Sequence, residues 1–198
     1  KKYSIAIPEE KPKNPEEIAA QNERDALFLL NQFAENYFID QLFNTEEGRS
    51  VGLSYLKERG LSESIIKKFK LGYSPEGWTA FTDYATSKGY KEEYLIKTGL
   101  TKVSESGKKY DFFHGRIMFP IHTVSGKTIG FGGRTLLKDF KGGKYFNSPE
   151  NEIYHKKETL YGIDLSSRAA RELNNVYLVE GYMDVISMSQ SGVENVVA

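Results

Sequence analysis

With 198 residues, of which 39% are hydrophobic and 13% aromatic, the chain can bury a core in one large or two small domains and is not a disordered tail. It has no cysteine, which excludes a disulfide framework and a cysteine-ligated zinc site, and no run approaches the roughly 18 apolar residues that a membrane span needs. The formal net charge is zero, but residues 102–157 carry 11 basic against 5 acidic side chains and form either a solvated basic face or a phosphate-binding surface.

The N-terminal half of the chain is predicted to be mainly helical. Residues 1–13 are rich in Lys, Glu and Pro without periodicity, and we expect a linker or tail there. Asn14 and Pro15 predict a helix start, because Asn is a good cap and Pro suits the first helical position. This helix should run to about Phe38, and further helices are predicted at residues 45–60 (opened by Thr45), 62–69 (opened by Ser62), 78–88 and 91–98.

The hydrophobic pattern changes to a period of two in the second half. Two apolar runs, residues 116–124 and 127–136, flank the turn pair Ser125-Gly126 and predict a β-hairpin. Pro120 has no amide hydrogen, so we expect an edge or a bulge at that point of the hairpin. A glycine-rich basic loop is then predicted, followed by a helix, a strand, a helix and a strand, at residues 138–158, 164–172, 176–180, 183–190 and 193–198.

The segment VYLVEGYMDVI, residues 176–186, combines a strand with acidic residues. Its four largely apolar leading residues predict a buried strand, which ends in Glu180 and Gly181, with Asp184 in the helix that follows. In open α/β sheets, ligands bind just beyond the carboxyl ends of the strands, and Gly181 would let the backbone turn sharply there. Two carboxylates at this position suit Mg²⁺; alternatively, Glu180 caps the following helix and Asp184 only interacts favourably with the helix dipole.

Two further segments carry residue types that suit polymer or nucleotide binding. Residues 130–133 (GFGG) lie within the hairpin and are not a dinucleotide fingerprint; we expect them to let a polymer or backbone approach closely beside Arg134. Residues 144–147 (KYFN) offer a cation, stacking rings and an amide, which suit nucleotides or single strands. The alternatives are an ordinary loop with a buried tyrosine and, at residues 155–157 (HKK), a mere charge cluster.

The histidines do not predict a metal or catalytic site. His114 and His122 have no partner at metal-ligand spacing. No Ser-His-Asp or Cys-His arrangement is found in the sequence either. Both histidines are therefore predicted to be structural.

Several segments together resemble one protein family. VEGYMDVI closely resembles the first acidic motif of the Toprim domain, as it occurs in bacterial replicative DNA primases of the DnaG type. The preceding segments occur in the order and spacing of these primases: ERGLS (58–62), LGYSPEGW (71–78), GRIMFPIHTVSGKTIGFGGR (115–134), KYFNSPE (144–150) and IYHKKETLYG (153–162). The resemblance covers about residues 25–198.

The resemblance implies a mixed α+β or α/β fold, in which a helical and β-hairpin N-terminal subdomain of the primase catalytic core (residues 14–172) is followed by the first β-α-β unit of a Toprim domain (residues 173–198). It also implies synthesis of short RNA primers from ribonucleoside triphosphates on single-stranded DNA, with Mg²⁺ or Mn²⁺ as catalytic metal. Glu180 would bind this metal, and Asp184 would be the second acid of the motif. The residues that match the family's basic groove, which contacts nucleotide phosphates or template, are Arg134, Lys144, Tyr145, Asn147, Lys156, Arg116 and Arg59.

The chain departs from that family in several respects. Because it has no cysteine, the family's zinc-binding module, which lies upstream, is expected to be absent. The second acidic motif, Asp-x-Asp, should lie downstream of Ala198, and the C-terminal domain that contacts the replicative helicase is likewise expected to lie outside these residues. The 198 residues are thus expected to be a fragment that is inactive alone. Phe112 and His114 stand where relatives often carry arginines, which weakens any DNA contact predicted for this edge.

The resemblance implies that primer synthesis takes place in the bacterial cytoplasm, at the replication forks of the nucleoid. Two other functions remain possible. One is another Toprim nucleotidyl transferase, such as a phage primase-helicase. The other is a non-enzymatic module that binds single-stranded DNA. Nucleotides would not affect DNA binding by such a module, which distinguishes it from an enzyme.

Overall fold

The computed structural model describes residues 15–137 and 143–198; the predicted linker (1–13), Asn14 and part of the predicted loop (138–142) lie outside the described residues. The helices are α1 (Pro15–Asn44), α2 (Ser54–Glu58), α3 (Glu63–Lys68), α4 (Ala80–Ser87), α5 (Glu92–Lys97), α6 (Ile163–Leu173) and α7 (Tyr182–Gln190), with a π-helical segment at Gly48–Leu53 and a 3₁₀ turn at Lys156–Glu158. The strands are β1 (Gly72–Ser74), β2 (Thr101–Val103), β3 (Lys109–Asp111), β4 (Arg116–His122), β5 (Thr128–Thr135), β6 (Tyr145–Asn147), β7 (Tyr177–Leu178) and β8 (Val196–Val197). None of the described helices is both long and apolar enough to cross a membrane.

The N-terminal helix α1 starts where the sequence predicts and runs further than expected. The predicted end lies near Phe38, whereas α1 continues to Asn44. Leu30, Ala34, Phe38 and Leu42 are all buried, so the apolar stripe at four-residue spacing continues past the predicted end. Packing of this stripe against the core stabilises the additional residues as helix.

The second predicted helix, residues 45–60, is irregular. The Gly48 N–H donates to the Thr45 hydroxyl (2.9 Å), which confirms Thr45 as the opening residue, but the helix is π-helical before α2 begins. Gly48 packs directly on α1, because a Cβ at this position would overlap the Gln41 carbonyl oxygen. The predicted cap Ser62 is also confirmed, since its hydroxyl accepts a backbone N–H of α3 at 3.4 Å.

An antiparallel sheet in the order β1-β4-β5-β6 is the main sheet of the described residues. The predicted hairpin is confirmed as β4–β5, and both strands are buried along almost their whole length. Pro120 lies beyond Met118, where pairing of β4 with β1 ends, and a register shift follows between Ile121 and His122; both agree with the predicted edge or bulge. The sequence missed β1, β2, β3 and β6, the last within the predicted loop, because three-residue strands are too short to show a period of two.

One core connects the N-terminal part of the fold with the C-terminal β-α-β unit. Val185 and Ile186 of α7 and Val196 of β8 belong to the same buried cluster as Phe69 and Tyr161. β7 and β8 pair in parallel on either side of α7 in the chain, which confirms the predicted unit and the mixed helix and strand fold. The subdomain boundary after residue 172 stays a prediction, since the core continues across it.

The strand before the acidic residues is not buried, contrary to the prediction. Leu178 is 71% exposed, and Val176 and Tyr177 are about half exposed. β8 is the inner strand, because it pairs with β7 on one side while Ala198 exchanges backbone hydrogen bonds with Tyr161 on the other. β7 is therefore the outer strand of the pair, which explains its exposure.

A buried ionic network joins α1 to the β-hairpin. Glu35 of α1 is 2% exposed, and its carboxylate accepts hydrogen bonds at 2.8, 3.0, 2.9 and 2.5 Å from Gln32 Nε2, Lys70 Nζ, Thr128 Oγ1 and His122 Nε2. Burial alone would raise the pKa of Glu35, but the hydrogen bond and charge of His122, together with Lys70 and Gln32, outweigh burial and lower this pKa to about 2. His122 is thus part of a structural network, as predicted.

Candidate functional site

A cavity of about 620 Å³ lies at the end of β7, between the C-terminal unit and the main sheet. Its lining includes five of the residues that the sequence singled out, Tyr145, Asn147, Lys156, Glu180 and Asp184. It also includes three tyrosines that the sequence did not indicate, Tyr154, Tyr161 and Tyr182. The structure therefore brings acidic, basic, amide and aromatic groups together from distant segments of the chain.

The acidic residues lie where a parallel strand leads into a helix. Glu180 follows β7 by two residues, Gly181 directly precedes α7, and Asp184 lies in the first turn of α7. Gly181 has φ −143° and ψ 161°, an extended conformation that any residue adopts, so the backbone here does not depend on glycine, contrary to the prediction. Within the described chain neither carboxylate has a hydrogen-bond or ion-pair partner, so capping of α7 by Glu180 is not observed.

The Asn147 amide is held by a tyrosine of the acidic segment. The Tyr182 hydroxyl donates to Asn147 Oδ1 at 2.9 Å, and this bond joins β6 to the start of α7. Tyr182 also packs on Tyr161, with ring centroids 4.4 Å apart, and burial raises the pKa of Tyr182 far above its usual value, so the phenol stays protonated. Because the amide oxygen accepts this bond, the amide nitrogen of Asn147 is the group left for a ligand.

The GFGG segment serves close packing inside the protein. A Cβ at Gly132 would overlap the Tyr182 ring, and one at Gly133 would overlap the Phe113 ring. The expectation that a polymer or backbone approaches this segment is therefore wrong, since aromatic rings of the chain itself fill the space. A side chain at position 132 would therefore displace Tyr182. Because Tyr182 holds Asn147 by a hydrogen bond, the position of Asn147 depends on Gly132 as well.

Arg134 and Arg59 form a cluster with two tyrosines. The Arg134 guanidinium donates to the Tyr145 hydroxyl at 3.1 Å and lies 5.3 Å from the centroid of that ring. It also lies 5.2 Å from the Tyr55 ring centroid, and the Arg59 guanidinium lies 5.4 Å from the same ring. Two guanidinium groups thus share one tyrosine ring through cation–π contacts. We call Arg59, Tyr55, Arg134 and Tyr145 the arginine–tyrosine cluster.

The other predicted basic residues differ in accessibility. Lys144 is exposed beside β6, and Lys156 is exposed where it lines the cavity. Arg116, by contrast, is 4% exposed, with its guanidinium 4.2 Å from the Phe146 ring centroid, and burial lowers its pKa. The structure places Arg116 beneath the surface, and its contact with nucleic acid stays a prediction.

Glu180 and Asp184 are the cavity residues that suit a divalent metal. Among residues 15–137 and 143–198, no group of three or more His, Cys, Asp or Glu side chains is close enough to hold a metal ion. Two exposed carboxylates nevertheless fit Mg²⁺ or Mn²⁺, because Mg²⁺ is bound by one or two carboxylates and keeps its other positions for water and phosphate oxygens. These two residues would supply part of such a site.

The aromatic lining of the cavity is the part of the site that sequence reasoning missed. The chain has 13 tyrosines, and a single tyrosine carries no spacing signal for a site. Tyr182 is the exception, because it lies between Glu180 and Asp184 in the motif VEGYMDVI. Its position in that motif could have indicated that Tyr182 supports the acidic pair.

The chain is similar in sequence to DNA primases. Residues 37–167 match the family model described as DNA primase catalytic core, N-terminal domain. The chain is 43% identical to the DNA primase of Deinococcus radiodurans over 173 residues, which cover 87% of this chain. The match covers 29% of that primase, so the chain spans less than a third of the length of this relative.

The chain is also similar to solved structures of DnaG primases. The RNA polymerase domain of Mycobacterium tuberculosis primase DnaG has a TM-score of 0.82 and 35% identity to this chain, over 88% of this chain and 56% of that chain. A DnaG primase catalytic domain bound to single-stranded DNA has a TM-score of 0.82 and 35% identity, over 90% of this chain and 56% of that chain. Since the family model matches more than half of its residues and the fold agrees, the chain belongs to the family of the DNA primase catalytic core, N-terminal domain.

Proposed function

We propose that the chain forms the N-terminal part of the catalytic core of a bacterial DNA primase, which synthesises short RNA primers on single-stranded DNA. The observation that carries this proposal is the cavity, where the acidic pair at the end of β7 shares one lining with Asn147, Lys156 and tyrosine rings. Nucleotidyl transfer from a triphosphate needs oxygen ligands for a metal, cations for phosphates and aromatic faces for bases. Membership of the primase core family supports the same function.

The acidic pair and Lys156 would act on the triphosphate. Glu180 and Asp184 would hold Mg²⁺ or Mn²⁺, and the bound metal neutralises charge that develops on the phosphates during transfer. Lys156 is exposed in the same cavity and would bind phosphate oxygens through charge-assisted hydrogen bonds. The two carboxylates and the lysine would thus place the triphosphate at the end of β7.

The remaining groups would bind the nucleotide and the template. The Asn147 amide nitrogen, which the bond from Tyr182 leaves available, would donate to an acceptor of the incoming nucleotide. Arg134 and Lys144 would contact phosphates, and Tyr145 offers a ring on which a base can stack. This division of roles makes Tyr182 a positioning residue that does not itself touch the triphosphate.

We propose single-stranded DNA as the template and ribonucleoside triphosphates as the substrates. A DnaG primase catalytic domain similar to this chain is described as bound to single-stranded DNA, which supports the template. We further propose that the whole protein contacts a replicative helicase, carries a zinc-binding module upstream and works in the bacterial cytoplasm at replication forks.

The acidic pair distinguishes this proposal from a non-enzymatic module that binds single-stranded DNA. Such a module needs cations and rings, whereas carboxylates in its cavity would repel phosphates. A phage primase-helicase would use the same acids, but the match to the N-terminal domain of the primase core favours a primase.

The positive block, residues 102–157, should bind single-stranded DNA weakly, without sequence preference and with strong salt dependence. Each phosphate contact releases a counterion, so Lys144→Ala and Arg134→Ala should each flatten the slope of log affinity against log salt by about 0.7. Fluorescence anisotropy of a labelled oligo-dT in a salt titration measures the slope. Lys88→Ala, outside the block, is the matched control and should keep the wild-type slope; an affinity that does not change with salt contradicts the prediction.

The 198-residue chain alone should not incorporate ribonucleotides on a template. Its described residues contain no acidic cluster beyond the pair in the cavity that could complete a metal site for phosphoryl transfer. A longer protein that contains this chain should make primers in the same assay, with single-stranded DNA, Mg²⁺ and labelled ribonucleoside triphosphates. The prediction is contradicted if the chain alone incorporates ribonucleotides in a template-dependent way and Glu180→Ala abolishes this incorporation.

A further inference from the structure

Trp78 is an exposed aromatic residue that the proposed site does not use. It is the only tryptophan of the chain, and it is 62% exposed. The ring is nevertheless fixed, because it stacks on His114 with centroids 4.0 Å apart and meets Tyr110 edge-on at 6.1 Å. The backbone is fixed as well, since the Trp78 carbonyl accepts the Asp111 N–H at 2.6 Å. A large apolar ring is thus held in place without being buried.

Most of the Trp78 side chain is accessible in the part of the chain that the structure describes, since it is 62% exposed. His114 stacks on the ring and Tyr110 forms a T-shaped contact with it; residues 15–137 and 143–198 supply no further ring or cation. Proteins that bind single strands use such fixed rings as platforms, because every base has a face that can stack. Leaving the largest aromatic side chain in water also costs hydrophobic free energy that a stacked base would recover.

The cavity beside Trp78 has a mixed apolar and polar lining, and the ring that supports Trp78 is neutral. A cavity of about 240 Å³ adjoins the ring, and its lining includes Val51 and Leu137, which are 38% and 63% exposed. Burial, followed by the charge of Arg116, lowers the pKa of His114, so the imidazole is uncharged near neutral pH and supports the tryptophan as an aromatic ring. This agrees with the structural role predicted for His114.

Two segments of the chain connect the cavity beside Trp78 with the arginine–tyrosine cluster. Val51 lies about one helical turn before Tyr55, and Leu137 follows Arg134 by three residues, just beyond the end of β5. Tyr145, the last member of the cluster, lines the large cavity that holds the acidic pair. Short segments of the chain therefore link the aromatic platform to the cationic cluster, and Tyr145 belongs to both the cluster and the acidic cavity.

The acidic side chains near Trp78 favour contact with a base over contact with a phosphate. Glu47 Oε1 accepts both the Tyr73 O–H (2.8 Å) and the Glu76 N–H (2.9 Å), so this oxygen is bound within the protein. Glu76 itself lines the cavity beside the ring and would repel a phosphate placed there. The phosphates of a bound strand would instead lie along Arg59 and Arg134.

We propose that Trp78 is a stacking platform for one base of single-stranded nucleic acid, whose backbone follows the arginine–tyrosine cluster toward the acidic cavity. This inference rests on the proposed function and extends its binding surface to a residue outside the basic groove. The ligand is a single strand rather than a duplex, because stacking on the ring requires an unpaired base.

Intrinsic fluorescence tests the proposal directly, because the chain has a single tryptophan. The unlabelled chain is titrated with oligo-dT of about 15 nucleotides, with a duplex of equal length, and with sodium triphosphate. Oligo-dT should quench the tryptophan emission in a saturable way, with the same midpoint as the anisotropy of a labelled oligo-dT. The duplex and the triphosphate should leave the emission near its starting value; equal quenching by the duplex overturns the proposal.

Substitutions provide a second, independent readout. Trp78→Ala should weaken oligo-dT binding roughly tenfold, whereas Trp78→Phe, which keeps a ring, should stay within about threefold of wild type. Leu29→Ala is the matched control, because Leu29 is 66% exposed and lines a separate cavity against α1, and it should not change the affinity. Circular dichroism of each variant checks that it is folded.

The outcomes separate this proposal from the proposed function. If oligo-dT binds with unchanged tryptophan emission, or if Trp78→Ala binds as wild type does, the platform is refuted. The proposed function survives that result when Arg134→Ala and Lys144→Ala still weaken binding. If the chain does not bind oligo-dT at all, both proposals fail.

Discussion

Replacing Glu180 by glutamine in a longer protein that contains this chain should lower the rate of primer synthesis by at least about 100-fold. The Glu180 carboxylate is exposed and has no protein partner in the described chain, so it contributes little to the stability of the core. Glutamine keeps the volume and one oxygen but loses the charge on which a Mg²⁺ site depends. The fold and the affinity for single-stranded DNA should therefore be retained, and incorporation of labelled ribonucleotides measures the loss.

Glu172→Gln is the matched control for this variant. Glu172 is an exposed residue of α6, close before β7 in the chain, and pairs with Arg168 at 2.8 Å; its substitution removes the same charge without touching the cavity. It should leave primer synthesis unchanged. Near-normal synthesis by Glu180→Gln, with unchanged metal dependence, would falsify the catalytic assignment.

The long elements were predictable because each carries a complete local signal. α1 has a proline at its start and an apolar stripe, and the β4–β5 hairpin has two apolar runs around a Ser-Gly turn. Strands such as β1 and β6 are defined instead by hydrogen bonds from their partner strands, which a three-residue sequence does not encode. The apolar residues of β7 likewise cannot show which of two parallel strands is the inner one, because burial depends on the neighbours.

The site was predictable in its charged residues but not in its aromatic ones. Glu180 and Asp184 follow an apolar strand, a pattern that marks the ligand-binding end of a parallel sheet. Tyr161 and Tyr182 meet only because α7 packs against the segment before α6, a tertiary contact with no local signal. Arg116 is a charged residue whose burial was not predictable. It belongs to the positive block, yet β4 is buried at every position, so charge in the sequence does not guarantee a place on the surface.

Glu35→Gln should lower the free energy of unfolding of the chain at pH 7 by about 3 kcal/mol. The buried carboxylate accepts hydrogen bonds from four side chains, those of Gln32, Lys70, Thr128 and His122. A glutamine offers one acceptor oxygen and turns an NH₂ group toward the remaining donors, which leaves buried polar groups without a partner. Urea denaturation of wild type and variant measures the difference.

The same substitution should change how stability depends on pH. The pKa of Glu35 is lowered from 4.5 to about 2 in the folded chain, so its carboxylate stabilises the fold fully above pH 4.5. This contribution is lost as the pH falls from about 4.5 toward about 2, where the folded chain takes up the proton as well. The difference between wild type and Glu35→Gln should therefore shrink on acidification, to less than about half of its neutral value at about pH 3.

Glu172→Gln again provides the comparison, because it removes one carboxylate from an exposed helical pair instead of a buried network. Other carboxylates titrate equally in wild type and variants, so they cancel when stabilities are subtracted at each pH. The control should match wild type from pH 7 down to about pH 3. A Glu35→Gln chain that is as stable as the control at pH 7, or whose deficit stays constant between these values, means that the Glu35 carboxylate does not stabilise the junction of α1 with the hairpin.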